Sequence, residues 1–129
     1  MGKRTADDAQ WQKVKAIVKT RDKGRDRFLS ILTMKEVAYL KKYAPFFLLK
    51  TLDPAHYRSV GEAPELCYDA NNIVLLNRWS HSNLDNMKNP ISGHSINKEQ
   101  HRLWWERILK GNPLQYKYLK DKGYLKEGD

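Results

Sequence analysis

The sequence predicts an α+β fold in which helices predominate, and three observations carry that prediction. Apolar residues recur at helical spacing in several segments, capping signals stand at the head of most of them, and two short apolar runs near the middle have strand character. A length of 129 residues allows one domain with one modest core.

From Asp7 to Thr20, Trp11, Val14, Ile17 and Val18 recur at steps of three and four, with Lys13, Lys15 and Lys19 between them, which describes an amphipathic helix with a basic outer face. The run RDKGRDR at 21–27 interrupts it with Gly24 and dense charge, and reads as a solvated linker or, through Arg25, as a turn facing phosphate. Thr33 and Glu36 make a capping box, so a second helix runs from Met34 to about Tyr43 and stops before Pro45. FFLLKTL at 46–52 reads as a short buried strand, and Ile73 to Asn77 as a second. Pro54, Gly61 and Pro64 make the sequence between them an irregular loop.

Ser80 is placed to cap a helix carrying His81, Leu84 and Asp85, which Pro90 and Gly93 bring to an end. Asn97 and Gln100 form another box ahead of a helix from Lys98 to about Lys110, closed by Gly111. Asn112 caps and Pro113 starts a last helix through Leu114, Tyr118 and Leu119, and the tail KEGD is expected to fray. The chain thus divides into an N-terminal helical part at about 7–44, a central part at about 46–89 and C-terminal helices at about 97–122, all within a single domain spanning 1–129.

Twenty-four Lys and Arg against 15 Asp and Glu give a net charge of +9, which makes a polyanion the default partner. Cys67 is the lone cysteine, so neither an intrachain disulfide nor a cysteine-based zinc knuckle can form, and a reducing cytoplasm is the expected compartment. No apolar run reaches the roughly 20 residues of a membrane span. MGKRTADDAQ lacks the apolar core of a signal peptide, and Ala6 stands where myristoylation requires Ser or Thr. No membrane partner is expected.

His81 and Asp85 lie one helical turn apart, where an imidazole and a carboxylate can share a divalent cation that leaves positions open for a phosphate. A simple His–Asp surface pair is the alternative. His56, beside Tyr57 and Arg58, has the titration range of a general base, although a lone loop histidine also serves as an ordinary hydrogen-bonding residue.

His56 precedes Asn72 by 16 residues and Asn72 precedes His81 by 9, in the order strand, loop, strand, helix. This pattern resembles the HNH endonucleases of ββα-metal fold. The run AHYRSVGEAPELCYDANNI is similar to HNH-type phage recombination nucleases of the NinG/Rap kind. The resemblance covers about Thr51 to Lys88 and implies a two-stranded antiparallel hairpin plus helix as the core, with the remaining helices around it. It implies that His56 is the general base, that Asn72 holds the loop and orients His56, and that His81 and Asp85 are metal ligands. Family members often take another ligand from the position before the base. That position is Ala55 here, and Asp53 stands nearby as its replacement.

The implied cofactor is one divalent cation, Mg²⁺ or Mn²⁺. Structural zinc is not expected, because Asp26, Leu29, Asn77 and Ser80 occupy the places of the cysteines that staple many relatives. Trp79, Trp104 and Trp105 would hold the core instead, with stacking on bases as their other role. Arg58 is placed to clamp phosphate, with Lys88, Arg78 and Arg25 as further nucleic-acid contacts. His101 reads as a surface residue, and His94 would approach the metal if the NPISGH loop folds back.

The expectation is therefore a metal-dependent DNA endonuclease of phage type, acting on duplex or branched DNA in a bacterial host cytoplasm, with a homodimer as the arrangement suited to paired cuts. Two other classes fit the same residues. One is a DNA-binding module that kept the scaffold and lost catalysis, and the other is a phage packaging or replication accessory protein in which His56 and His81 are structural.

Overall fold

The computed structural model describes residues 5–126, with side chains from residue 9 onward. The expectations for the extreme N-terminus and for the tail at 127–129 lie outside the described residues. The order of elements is α1 (Thr5–Arg21), α2 (Met34–Tyr43), α3 (Phe46–Lys50), β1 (Leu52–His56), β2 (Ile73–Asn77), α4 (Arg78–Asp85), α5 (Lys98–Lys110) and α6 (Pro113–Asp121), an α+β arrangement.

The two strands pair antiparallel, from Leu52 opposite Asn77 to His56 opposite Ile73. Side chains alternate across the pleat, so the hairpin has two faces, and each is covered. Ile73, Leu75 and Leu52 pack with Trp11, Val14 and Val18 of α1. Ala55, Val74 and Leu76 pack with Leu84 of α4, Trp105 and Ile108 of α5, and Leu119 of α6. Burial on both faces is why Ile73–Leu76 is uninterruptedly apolar.

The first strand lies later than the sequence suggests. Phe46–Lys50 is helical, and the strand Leu52–His56 keeps only the last residue of FFLLKTL and runs on into what reads as loop. Pattern alone does not separate a short apolar helix from a strand. Here Pro45 decides locally, because its carbonyl accepts from the Leu48 and Leu49 amides at 3.1 and 3.2 Å and closes a turn. Thr51 Oγ1 then donates to the Phe47 carbonyl at 2.8 Å and secures the far end. Pro54 is tolerated in β1 because β1 has a free edge that needs no donor there.

The capping signals are realised at α2, α5 and α6. Thr33 with Glu36 and Asn97 with Gln100 both form reciprocal boxes, and Asn112 caps the helix that Pro113 starts. At α4 the cap is Asn77 rather than Ser80. Asn77 Oδ1 accepts from the Ser80 amide at 2.8 Å, which brings the helix directly onto the end of β2.

RDKGRDR is no solvated linker. Asp22 and Arg27 are buried, and Arg27 Nη1 donates to Asp22 Oδ1 at 3.0 Å while Asp22 Oδ2 accepts from the Leu75 amide at 3.0 Å. Arg21 reaches the carbonyls of Ala70 and Ile73 at 2.7 and 2.6 Å. This ionic knot fastens the end of α1 to β2, and because each charge is paired, removing one partner would leave another uncompensated. Among the described residues, no helix is long and apolar enough to cross a membrane.

Candidate functional site

His56 ends β1, and its ring is held on two sides. Nε2 lies 2.9 Å from the Cys67 carbonyl, and the Trp11 ring stacks on the imidazole with centroids 5.4 Å apart and planes 15° from parallel. A carbonyl only accepts, so Nε2 carries the proton and Nδ1 keeps its lone pair in the neutral ring. That tautomer is the one a general base needs.

The loop that follows is organised by Asn72, whose side chain is fully buried. Its Oδ1 accepts from the Arg58 amide at 2.8 Å, and its Nδ2 donates to the carbonyls of Arg58 at 3.0 Å and Leu66 at 3.2 Å. The Asn72 carbonyl also accepts from the Tyr57 amide at 2.8 Å. The amide side chain is satisfied at every position by backbone alone, so it fixes the loop on either side of the Cys67 turn. Through Tyr57 and Leu66, the residues on which the His56 bond depends are held in place.

A second cluster gathers around α4. His81 Nδ1 lies 3.2 Å from Asp53 Oδ2, and its Nε2 lies 3.1 Å from Asp85 Oδ2. Both partners are carboxylates, which favour the protonated ring, and the hydrogen bond to Asp85, followed by that to Asp53, raises the His81 pKa against the opposing effect of burial. Arg78 closes the cluster with Nε and Nη2 donating to Asp53 at 3.2 and 3.0 Å. Burial alone would raise the Asp53 carboxyl, but hydrogen bonds from Arg78 and His81 outweigh it and the net shift is downward.

The donor chemistry of this cluster suits a hard divalent cation, since a carboxylate and an imidazole nitrogen stand side by side at each edge of the His81 ring. The three donors are strung out along the ring and do not converge. Among the described residues, no three His, Cys, Asp or Glu side chains meet as a ready ligand set. A cation would take His81 with Asp53 or His81 with Asp85, displacing the proton on that nitrogen.

The structure does not bring His56 and His81 together as the motif suggests. Asp53 and His56 are three residues apart on one strand, so they leave opposite faces, and about 10 Å of strand separates them. Asp53 turns to α4 and His56 to α1, and Trp11, which stacks on His56, belongs to a helix far upstream with no sequence signal beyond its place in the apolar stripe.

The remaining expected residues are dispersed. Arg58 Nε donates to the Tyr124 carbonyl at 2.7 Å, so this guanidinium holds the C-terminal segment. Arg25 and Lys88 are exposed, and Arg78 is exposed with its fork on Asp53. His94 is exposed in the loop after α4, whereas His101 is half-buried and its Nε2 lies 2.9 Å from the Leu84 carbonyl. That corrects its reading as a surface residue, and burial lowers its pKa. Trp105 is buried in the core, and Trp79 and Trp104 pack against it partly exposed.

Two of the four residues expected to replace zinc-binding cysteines, Asp26 and Asn77, are joined directly. Asn77 Nδ2 donates to Asp26 Oδ2 at 2.7 Å, and Ser80 Oγ donates to the Pro90 carbonyl at 2.9 Å. Comparison with protein-family models, with curated proteins and with solved structures finds no match to this chain.

Proposed function

We propose that this chain is a metal-dependent DNA endonuclease of HNH type, with His56 as the base that takes a proton from the attacking water. The observation that carries the reading is the fixed tautomer of His56. Its Nε2 proton is committed to the Cys67 carbonyl, its lone pair is on Nδ1, and Asn72 holds the loop that supplies this carbonyl. The hairpin running without a loop into α4, and the imidazole between two carboxylates on that helix, add to it.

In this mechanism Nδ1 of His56 accepts the proton as water oxygen attacks phosphorus, and Trp11 keeps the ring plane fixed while the imidazolium forms. His81 with Asp53 or Asp85 would hold the Mg²⁺ or Mn²⁺, which would supply charge neutralisation at phosphate. Arg78, exposed beside Asp53, would contact phosphate. The net charge of +9 supplies attraction to duplex or branched DNA that weakens with salt.

A second reading is a DNA-binding module without catalysis. It is favoured by the strand geometry that sets His56 and His81 on opposite faces, and by the self-contained pairing of Arg78, Asp53, His81 and Asp85. Supercoiled plasmid incubated with Mn²⁺ or Mg²⁺ separates the two. Nicking that needs the ion and falls by about 10²- to 10⁴-fold in His56→Ala supports the nuclease. Ion-independent background together with intact DNA retention on a gel supports the binding module.

A further inference from the structure

Helices α2 and α3 turn their aromatic side chains outward. Phe46 and Phe47 are 72% and 68% exposed, Tyr43 57% and Tyr39 45%, while the smaller Leu48 and Leu49 of the same short helix are half-buried. The Tyr39 and Tyr43 rings lie 4.5 Å apart at the end of α2, and Phe46 and Phe47 open α3 directly after Ala44 and Pro45. An aromatic cluster of this kind on the outside of a small domain marks a binding surface rather than packing.

Charge narrows what that surface binds. From Val37 through Leu52 the chain has Lys41, Lys42 and Lys50 and no acidic residue. Two of these amines sit over ring faces, Lys42 above Tyr43 at 5.4 Å and Lys50 above Phe46 at 5.1 Å. Exposed rings with an ammonium group over one face combine a stacking surface and a phosphate contact within the same few ångströms, which is the combination that binds unpaired nucleotides irrespective of sequence. A five-residue helix offers too short an apolar face to lie stably in a lipid surface.

A groove continues from this platform. It encloses about 540 Å³ between α1 and the hairpin, and Lys15, Lys19 and Lys50 line it together with Leu52 and Pro54. Lys50 belongs to both platform and groove. Leu52, Pro54 and His56 alternate along the strand, so the groove follows the hairpin face from which His56 also emerges.

We infer that Tyr39, Tyr43, Phe46 and Phe47 form a stacking platform for single-stranded nucleic acid, whose backbone then follows the Lys50, Lys19 and Lys15 groove. Binding there requires no hydrolysis, so it stands whether the chain cleaves DNA or only holds it.

The test titrates the full-length protein against a fluorescent twelve-nucleotide oligothymidylate, the matching duplex, and vesicles of phosphatidylglycerol, with sedimentation of the protein alone alongside. The expected result is that Phe46→Ala with Phe47→Ala weakens oligothymidylate binding about tenfold and changes duplex binding by less than twofold. Because both rings are exposed, the melting midpoint should stay that of the wild type. Lys19→Ala with Lys50→Ala should lower the slope of log affinity against log salt by about 0.7 for each phosphate that is no longer neutralised. Wild-type protein that ignores the oligothymidylate, or aromatic variants that bind it unchanged, would overturn the inference. So would loss of vesicle binding or of self-association in those variants without loss of oligothymidylate binding.

Discussion

Asn77 Nδ2 donates a 2.7 Å hydrogen bond to Asp26 Oδ2 across 51 residues of sequence, while Asn77 Oδ1 caps α4 through the Ser80 amide. One buried side chain thus ties the turn after α1 to the junction of β2 with α4. Burial raises the Asp26 carboxyl, and the hydrogen bonds from Asn77 and Phe28 oppose that shift.

Replacing Asn77 with Ala is expected to remove the cap and the side-chain donor to Asp26 Oδ2 together. A lost cap costs about 1 kcal/mol, and a buried acceptor without its donor about 1–3 kcal/mol. The sum, about 2–4 kcal/mol, is read from urea unfolding. Asp26→Asn should cost less, since it removes the buried charge while keeping an acceptor oxygen. A loss below about 0.5 kcal/mol in Asn77→Ala would show that the bond is idle.

Asn72→Asp separates geometry from volume in the loop after β1. The aspartate keeps the acceptor for the Arg58 amide and loses both donors to the Arg58 and Leu66 carbonyls. An expected cost of about 2–4 kcal/mol follows from a buried carboxylate facing two carbonyls. Limited proteolysis should then cut within 58–71 sooner than in the wild type.

Arg107 grips Glu36 with two hydrogen bonds at 2.6 and 3.0 Å and joins α5 to α2. The side-chain bond from Arg107 lowers the Glu36 pKa from 4.5 to about 2. A depressed carboxylate contributes stability that is present above its unfolded value and lost as pH falls from about 4.5 to about 2. The pair is partly solvated, so screening leaves about 1 kcal/mol of this contribution. Glu36→Gln should flatten the acid limb of stability against pH in that window and leave it unchanged near neutrality apart from a constant offset.

Gly111→Ala is expected to destabilise even though Gly111 has an ordinary helical conformation at φ −64°. A β-carbon there would meet Ile31 Cγ2 at 2.8 Å and the Ile108 carbonyl at 3.1 Å. Overpacking of this kind costs about 1–3 kcal/mol. Ile31→Ala in the same chain should recover part of that cost, which a double-mutant cycle would register as favourable coupling.

Mn²⁺ should raise the melting midpoint of the wild type if it binds at His81, because a ligand confined to the native state stabilises by mass action. His81→Ala should abolish the rise, and Asp53→Asn should reduce it. A shift of the same size in His81→Ala would place the ion elsewhere and leave His81 as the centre of a structural ion-pair cluster.

Much of this architecture is legible in the chain itself. Thr33 with Glu36, Asn97 with Gln100, and Asn112 with Pro113 act within one turn of chain, so their local chemistry alone sets where α2, α5 and α6 begin. The run Ile73–Leu76 announces burial on two faces, and the place of Asn72 at its head is visible as spacing. What misleads is equally physical. Phe46–Lys50 is apolar enough for a strand, and only the turn closed by Pro45 makes it a helix whose rings face water. RDKGRDR has the composition of a solvated loop, yet partners about 50 residues away draw Arg21 and Asp22 inward.

By itself, then, the sequence determined the helices other than α3, the β2 strand and the identity of the imidazoles and carboxylates, because these depend on neighbours within a few residues. Tertiary structure alone decided which of them meet. Pleat parity sends His56 to Trp11 of α1 and Asp53 to His81 of α4, and the reach of Asn77 to Asp26 exists only once the hairpin has docked on the turn after α1. Contacts across that distance are set by strand register and packing, and no local spacing encodes them.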